Sequence, residues 1–400
     1  MKPPKKYQFI IELGKALHIY GIPSYKIQAY LSQVAKKQGI KGVFMDLPTW
    51  INYAFYEDEK SYNYVESIPP GNLNLGALSR VVEVTNKVIE NNDDGFSLKD
   101  ELHLIHEKTK KVNHFILTLA YAFASGSFSL MIGTNWISFA FSMLFGALVY
   151  FMVYFSKKSK YINTTLESLA SFIITILACF VYLAFPNFNV GLSILSSIII
   201  FIPGLAITTA LEEITSKSLV SGGAKLFDAL ISLFKQFFGV LLGVIIMSKA
   251  IDFKLLNHFS EMPKWIMFCA IPIFSISLLP IFQIRKKDMI LGVLTGVSGF
   301  FLTVVFSGFG LLLSTFIGTL AVVIISNIFS YLTKTPKTVY LTLGIIMLVP
   351  GSKSFMGLSN SFLNSSIINT TNLFEQVAFI LMGIIGGLLF AGVFRETTDN

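Results

Sequence analysis

Four hundred residues with only 14% charged side chains, 53% apolar ones and 38 Phe leave too little charge to cover a soluble surface. The net charge of +8 does not point to nucleic acid, because the basic residues flank apolar runs and form no stripe interleaved with exposed aromatics. Charge is also unevenly spread: residues 1–112 hold 15 of the 31 Lys and Arg and 13 of the 23 Asp and Glu, which sets a polar region apart from a hydrophobic remainder.

The chain opens Met1-Lys-Pro-Pro-Lys-Lys, with no apolar core and no small-residue cleavage site behind it, so the first region is expected to stay on the side where it is made. Amphipathic spacing predicts helices over residues 7–19 and 23–37, the second opening at Pro23 and Ser24. Aromatic and β-branched runs at 43–45, 50–56 and 62–68 predict a short sheet, ended by the breaker Pro69-Pro70-Gly71. Helices resume over 73–90 and 97–111, the last with a capping-box-like Ser97-Leu-Lys-Asp100. Residues 1–112 thus read as a small cytoplasmic α+β domain. Its histidines, His18, His103 and His106, stand near no Cys nucleophile, Gly-x-Ser-x-Gly elbow or phosphate-binding glycine loop. His103 and His106 share a helical face that would suit a metal, but spacing places no third ligand, and a solvated surface explains them as well.

From residue 113 onward the fold class is membrane all-α. A helix needs about 20 apolar residues to cross the hydrocarbon core. Ten such runs occur, at 113–132, 135–155, 165–186, 190–211, 224–248, 264–283, 287–307, 309–332, 339–358 and 374–394. Basic residues collect on alternate connections: 13 Lys and Arg fall on one side and four on the other. The positive-inside rule then places both termini in the cytoplasm of a multi-pass protein of the cell membrane. Cys179 and Cys269 each lie inside an apolar run, as packing residues.

Charges within the spans mark cavities or partners. The 12 apolar residues 237–248 cannot span alone, which draws Lys235 and Gln236 into the fifth helix. Lys225, Asp228, Ser232, Lys235, Gly239 and Gly243 recur there at helical spacing as one polar and small-residue stripe. It serves either helix packing, with the lysines neutralised by Asp228, or a solute path. Two Pro-Gly pairs, Pro203-Gly204 and Pro350-Gly351, break the fourth and ninth runs and free backbone groups for a ligand. Both members of each pair lie 147 residues from their counterparts, as do Asp228 and Glu375, and Gly239 and Gly386. A duplication of five helices is implied, with modules at 113–250 and 251–400. Because five is odd the second copy is inverted, and the site is expected where broken helices meet. Glu212 and Glu213 follow the first break as further acidic candidates.

The tract Ile202-Pro-Gly-Leu-Ala-Ile-Thr-Thr-Ala-Leu-Glu-Glu-Ile-Thr-Ser-Lys-Ser-Leu-Val-Ser-Gly-Gly-Ala-Lys225 resembles the signature of the threonine/serine exporter family. Support comes from Gly14-Lys-Ala-Leu-His-Ile-Tyr-Gly-Ile-Pro-Ser-Tyr, from Asp46-Leu-Pro-Thr, and from Leu348-Val-Pro-Gly351 with Gly357. The resemblance covers nearly the whole chain, in a fused two-module form. It departs from the family's pattern where Thr208-Thr209-Ala210 replaces a frequent Asn, Glu212-Glu213 an Arg-Asp pair, and Lys225 an Arg. The resemblance implies proton-coupled export of threonine, serine or similar small solutes by alternating access, with no cofactor and no metal. Asp228 would bind the proton or ammonium, Lys225 and Lys235 a carboxylate, and Thr208 and Thr209 a substrate hydroxyl or their own helix. Lys353 and Glu375 are the second module's candidates. Partners would be the solute, protons and the lipid bilayer, with no nucleic acid and a homo-oligomer left open. Competing expectations are a dicarboxylate exporter, a passive channel, and a membrane-anchored hydrolase working through the N-terminal domain.

Overall fold

Two glycines punctuate the start of the chain in the computed structural model, which describes residues 3–57, 60–71, 73–91, 99–109, 113–251, 262–348 and 373–393. Gly21 and Gly39 adopt φ of 82° and 68°, a region that side chains disfavour. Gly21 turns the chain from helix α1 (Lys5–Ile19) into α2 (Ser24–Lys37), and Gly39 leads out of α2. Strands β1 (Lys41–Leu47), β2 (Trp50–Glu57) and β3 (Lys60–Ser67) follow as an antiparallel sheet in sequential order, with Phe44 opposite Tyr53 and Tyr53 opposite Tyr64. Helices α3 (Leu75–Asn91) and α4 (Lys99–Thr109) complete the domain.

Alternation in β2 sends Ile51, Tyr53 and Phe55 to the helical side, where they are fully buried with Leu13 and Leu17 of α1 and Ile27 and Leu31 of α2. The helices cover that one face. On the other, Val43, Met45 and Val65 remain exposed.

The remainder is helical: α5 (His114–Met131), α6 (Trp136–Ser156), α7 (Lys160–Ala184), α8 (Val190–Ser197), α9 (Gly204–Thr215), α10 (Leu219–Met247), α11 (Lys264–Ile281), α12 (Met289–Val305), α13 (Leu311–Thr333), α14 (Lys337–Leu348) and α15 (Leu373–Val393). Asparagine caps set several starts: the side chains of Asn113, Asn135 and Asn189 accept amides of the first turns of α5, α6 and α8. Among the described residues six helices are long and apolar enough to cross a membrane: α5, α6, α7, α10, α13, and α12 with its flanking 3-10 turns. A seventh candidate is the pair α8 and α9, bent by 52° at their break. Over the residues whose side chains are described, the apolar stretches Trp265–Ile281, Lys337–Leu348 and Glu375–Ala391 are shorter. Each of the ten apolar runs thus contains helix; among the described residues six or seven helices reach spanning length, and the ninth run is described only to residue 348.

The helices before and after residues 252–261, here called the first and second half, each include a close glycine packing. In the first, α10 lies against α7 at Gly239 and Gly243, where an added methyl would strike the Ser168 carbonyl oxygen and the Thr175 side chain. In the second, α15 lies against α13 at Gly383 and Gly387, where a methyl would meet the Leu312 carbonyl and Thr319. Glycine lets backbones approach where lipid supplies no hydrophobic drive for association. Across the halves, α5 packs on α11, and α9 touches α14 and α15.

Candidate functional site

Pro203 brings no amide to the helical ladder, and the chain bends where it stands. A 3-10 turn over Ile199–Phe201 precedes the bend and α9 begins at Gly204. The Phe201 carbonyl, left out of the ladder, is met by the side-chain amide of Gln236 at 2.9 Å. On the other side of the break, Leu205 and Ala206 occupy the first turn of α9, whose amides have no preceding turn to bond.

A cavity of about 890 Å³ opens at this break, between the two halves. The first half lines it with Pro203, Gly204, Leu205 and Ala206, with Glu167 of α7, and with Asp228, Ser232 and Lys235 of α10. The second half adds Phe274, Phe300, Thr303, Ser314, Thr315 and Met347, among others. Most of the wall is apolar, and the formal charges gather at the α7–α10 side. There the Ser232 hydroxyl donates to Glu167 Oε1 at 2.8 Å, and Lys235 Nζ stands 3.7 Å from Glu167 Oε2. Asp228 lines the cavity exposed, and no described residue bonds or pairs with it. The polar end therefore offers two carboxylates, one ammonium and the opening amides of a helix, all at one break.

Of the residues the sequence singled out, Pro203, Gly204, Asp228 and Lys235 come together on this wall. Thr208 and Thr209 do not line it; their hydroxyls donate at 3.1 Å to the carbonyls of Gly204 and Leu205, one turn back on α9. Glu212, Glu213 and Lys225 lie at a different place, the seam with the N-terminal domain. Glu213 accepts the Ser24 amide at 2.8 Å and the Lys225 ammonium at 2.5 Å, while Glu212 accepts the Tyr25 hydroxyl at 2.6 Å. The lysines of the α10 stripe thus pair with Glu213 and Glu167 of other helices, and not with Asp228. Glu375 is exposed in the first turn of α15, off the cavity wall. Pro350, Gly351 and Lys353 lie outside the described residues. His103 and His106 belong to no group of three metal-binding side chains among the described residues.

Glu167 is the residue that sequence reasoning missed. It falls two positions inside the third apolar run, and by the rule applied to Lys235 a carboxylate there should have been flagged. The seam partners Ser24, Tyr25 and Lys26 left no such signal, because they lie nearly 190 residues from the glutamates they meet.

Membrane-capable helices around one cavity, with charged groups at a helix break, define a multi-pass membrane protein of the transporter class. The chain belongs to the threonine/serine exporter family: a family model described as "Putative threonine/serine exporter" matches residues 8–247, and one described as "Threonine/Serine exporter, ThrE" matches residues 266–394. It is similar to the pheromone-regulated membrane protein 10 of Eremothecium gossypii, 24% identical over 92% of this chain and 51% of that one. The protein of the same name from Kluyveromyces lactis is 27% identical over 76% of this chain and 32% of its own. An uncharacterized protein of Schizosaccharomyces pombe is 25% identical over 74% and 40%. The chain thus spans about a third to a half of the length of these relatives. No solved structure matches it.

Proposed function

We propose that this protein is a secondary active transporter that exports small amino acids of the threonine and serine type, driven by the proton gradient. The observation that carries the reading is the polar end of the cavity. A free amino acid presents an ammonium and a carboxylate a few ångströms apart, and this wall offers Asp228 and Glu167 to the one, Lys235 and the amides of Leu205 and Ala206 to the other. A dicarboxylate would need cations at both ends. Lys225 is engaged with Glu213 away from the cavity, which leaves Lys235 as the lysine among the described lining residues.

The repeated glycine packing of α7 with α10 and of α13 with α15 supports two five-helix halves of inverted orientation, ten crossings in all, and alternating access between them. Helices α11, α14 and α15 then also count as crossings in a cell membrane, with both termini and the N-terminal domain in the cytoplasm. That domain is an accessory to transport in this reading and not a hydrolase. Its buried Ser24 hydroxyl donates to Asp46 Oδ2 at 2.5 Å, and His18 bonds the other oxygen of the same carboxylate, so imidazole and hydroxyl do not meet.

Proteoliposomes loaded with labelled threonine or with succinate test the assignment. Threonine should leave faster under an imposed proton gradient and succinate should not; faster loss of succinate alone, or indifference of both to the gradient, overturns it.

A further inference from the structure

The N-terminal domain grips the membrane part at two places, and the two straddle the cavity. At the first, the start of α2 meets the α9–α10 connection. The Ser24 amide donates to Glu213, the Ser24 hydroxyl lies 2.9 Å from that of Ser221, and Tyr25 and Lys26 reach Glu212. Ser24 is itself fixed from behind by Asp46, which His18 holds at 2.6 Å; all three are buried. At the second, the start of α3 meets the α11–α12 connection. The Leu75 amide donates to the Phe282 carbonyl at 3.0 Å, the Asn74 side chain to that of Gln283 at 2.8 Å, and Arg285 pairs with Glu83 at 2.7 Å. Gly76 lies so close to the Gln283 carbonyl that no Cβ fits there.

Between the grips runs Leu73. It is the one described residue of the N-terminal domain on the cavity wall, where Leu278, Ile281 and Phe282 also stand. The grips hold both halves: α9 and α10 carry Gly204, Asp228 and Lys235, whereas α11 and α12 belong to the second half and add Phe274 and Phe300. A change that opens this end by parting the halves must break at least one grip and withdraw Leu73.

We propose that the N-terminal domain is the gate of the cavity on its own side of the membrane, with Leu73 as the stopper and the Ser24–Glu213 and Asn74–Gln283 contacts as the latches. This rests on the transport reading above for what the gate controls, but not for the gate itself.

The test is a reversible lock. In a chain with Cys179 and Cys269 replaced by Ala, S24C/S221C puts two thiols where two hydroxyls now touch, and A206C adds a reporter on the cavity wall. In inside-out vesicles, oxidation should form the disulfide, slow labelling of A206C by an impermeant maleimide at least about tenfold, and cut solute flux by a similar factor. Reductant should restore both. Conversely L73A, with no cross-link, should speed labelling. Failure of the disulfide to form overturns the latch. A disulfide that leaves labelling unchanged, or L73A labelling no faster than its parent, overturns the gate. Labelling that responds as expected while the chain without A206C moves no amino acid upholds the gate and sinks the export reading.

Discussion

Glu213 and Lys225 make an unequal pair, and the inequality can be measured. The glutamate is fully buried, whereas the lysine side chain keeps 31% of its surface in solvent. Lys225→Ala would leave a buried carboxylate with the Ser24 amide as its hydrogen-bond donor among the described residues. Breaking a buried ion pair by removing one partner costs about 3–5 kcal/mol; here solvent already reaches the lysine, which puts the loss near the lower end, about 3 kcal/mol. Glu213→Ala lets Lys225 turn to water and strands one buried amide, at about 1–3 kcal/mol. In the double variant neither charge of the pair remains. Lys225→Ala should therefore cost almost nothing in the Glu213→Ala background, a coupling of about 3 kcal/mol. Native-state hydrogen exchange of the first turn of α2 reports the opening of this seam. Lys225→Ala alone should raise exchange there on the order of 100-fold, since each 1.36 kcal/mol is about tenfold. Equal acceleration in both backgrounds, or none in either, would refute the reasoning.

At the cavity, Asp228→Asn and Glu167→Gln should each weaken proton-driven threonine efflux about tenfold or more, the ~1.5–3 kcal/mol of a hydrogen bond to a charged group, read as flux against internal threonine concentration; unchanged flux in both would remove the carboxylates from the site. Gly239→Ala would force a methyl onto the Ser168 carbonyl, an overpacking of about 1–3 kcal/mol that should lower the thermal midpoint of the purified protein, while Gly223→Ala, with open space around it, should not. In the N-terminal domain, burial first and then the charge of Asp46 push the Tyr53 hydroxyl well above its ordinary 10. Its folded value is raised, so the associated stability is whole below about pH 10 and is lost as pH climbs past the unfolded value. Exchange protection of the sheet should thus fall more steeply between about pH 9 and 11 in the parent than in Tyr53→Phe; parallel curves would contradict this.

Much of this was legible because it depends on local spacing. The length argument that drew Lys235 into a span needs only a count of apolar residues, and the break at Pro203 follows from a missing amide. Neighbours on α10 could be read off a helical wheel, which is why Asp228 seemed the natural partner of both lysines. Spacing along one helix says nothing of the helix beside it, and the carboxylates that in fact meet those lysines come from α7 and α9. Thr208 and Thr209 show the opposite limit: a threonine inside an apolar helix can satisfy its hydroxyl on the carbonyl one turn back, and both do. The Glu212–Glu213 pair reads as site residues because an ammonium or proton at the break needs an acidic partner nearby. Both carboxylates are taken instead by a folded domain pressed against them, which periodicity cannot foresee.

The α10 stripe is expected to serve either packing or a path, and in the structure one close approach serves both the packing and the cavity wall. Gly239 and Gly243 face α7 and bring its backbone close enough to leave no room for a methyl. One to two turns before Gly239 the same approach sets Glu167 of α7 beside Lys235 and Ser232 of α10, at 3.7 Å and 2.8 Å. The polar end of the cavity is therefore built at the seam that the glycines draw tight. A larger side chain at Gly239 would spread α7 from α10 and carry Glu167 away from Lys235, so stability and charge placement at this wall rest on the same close approach.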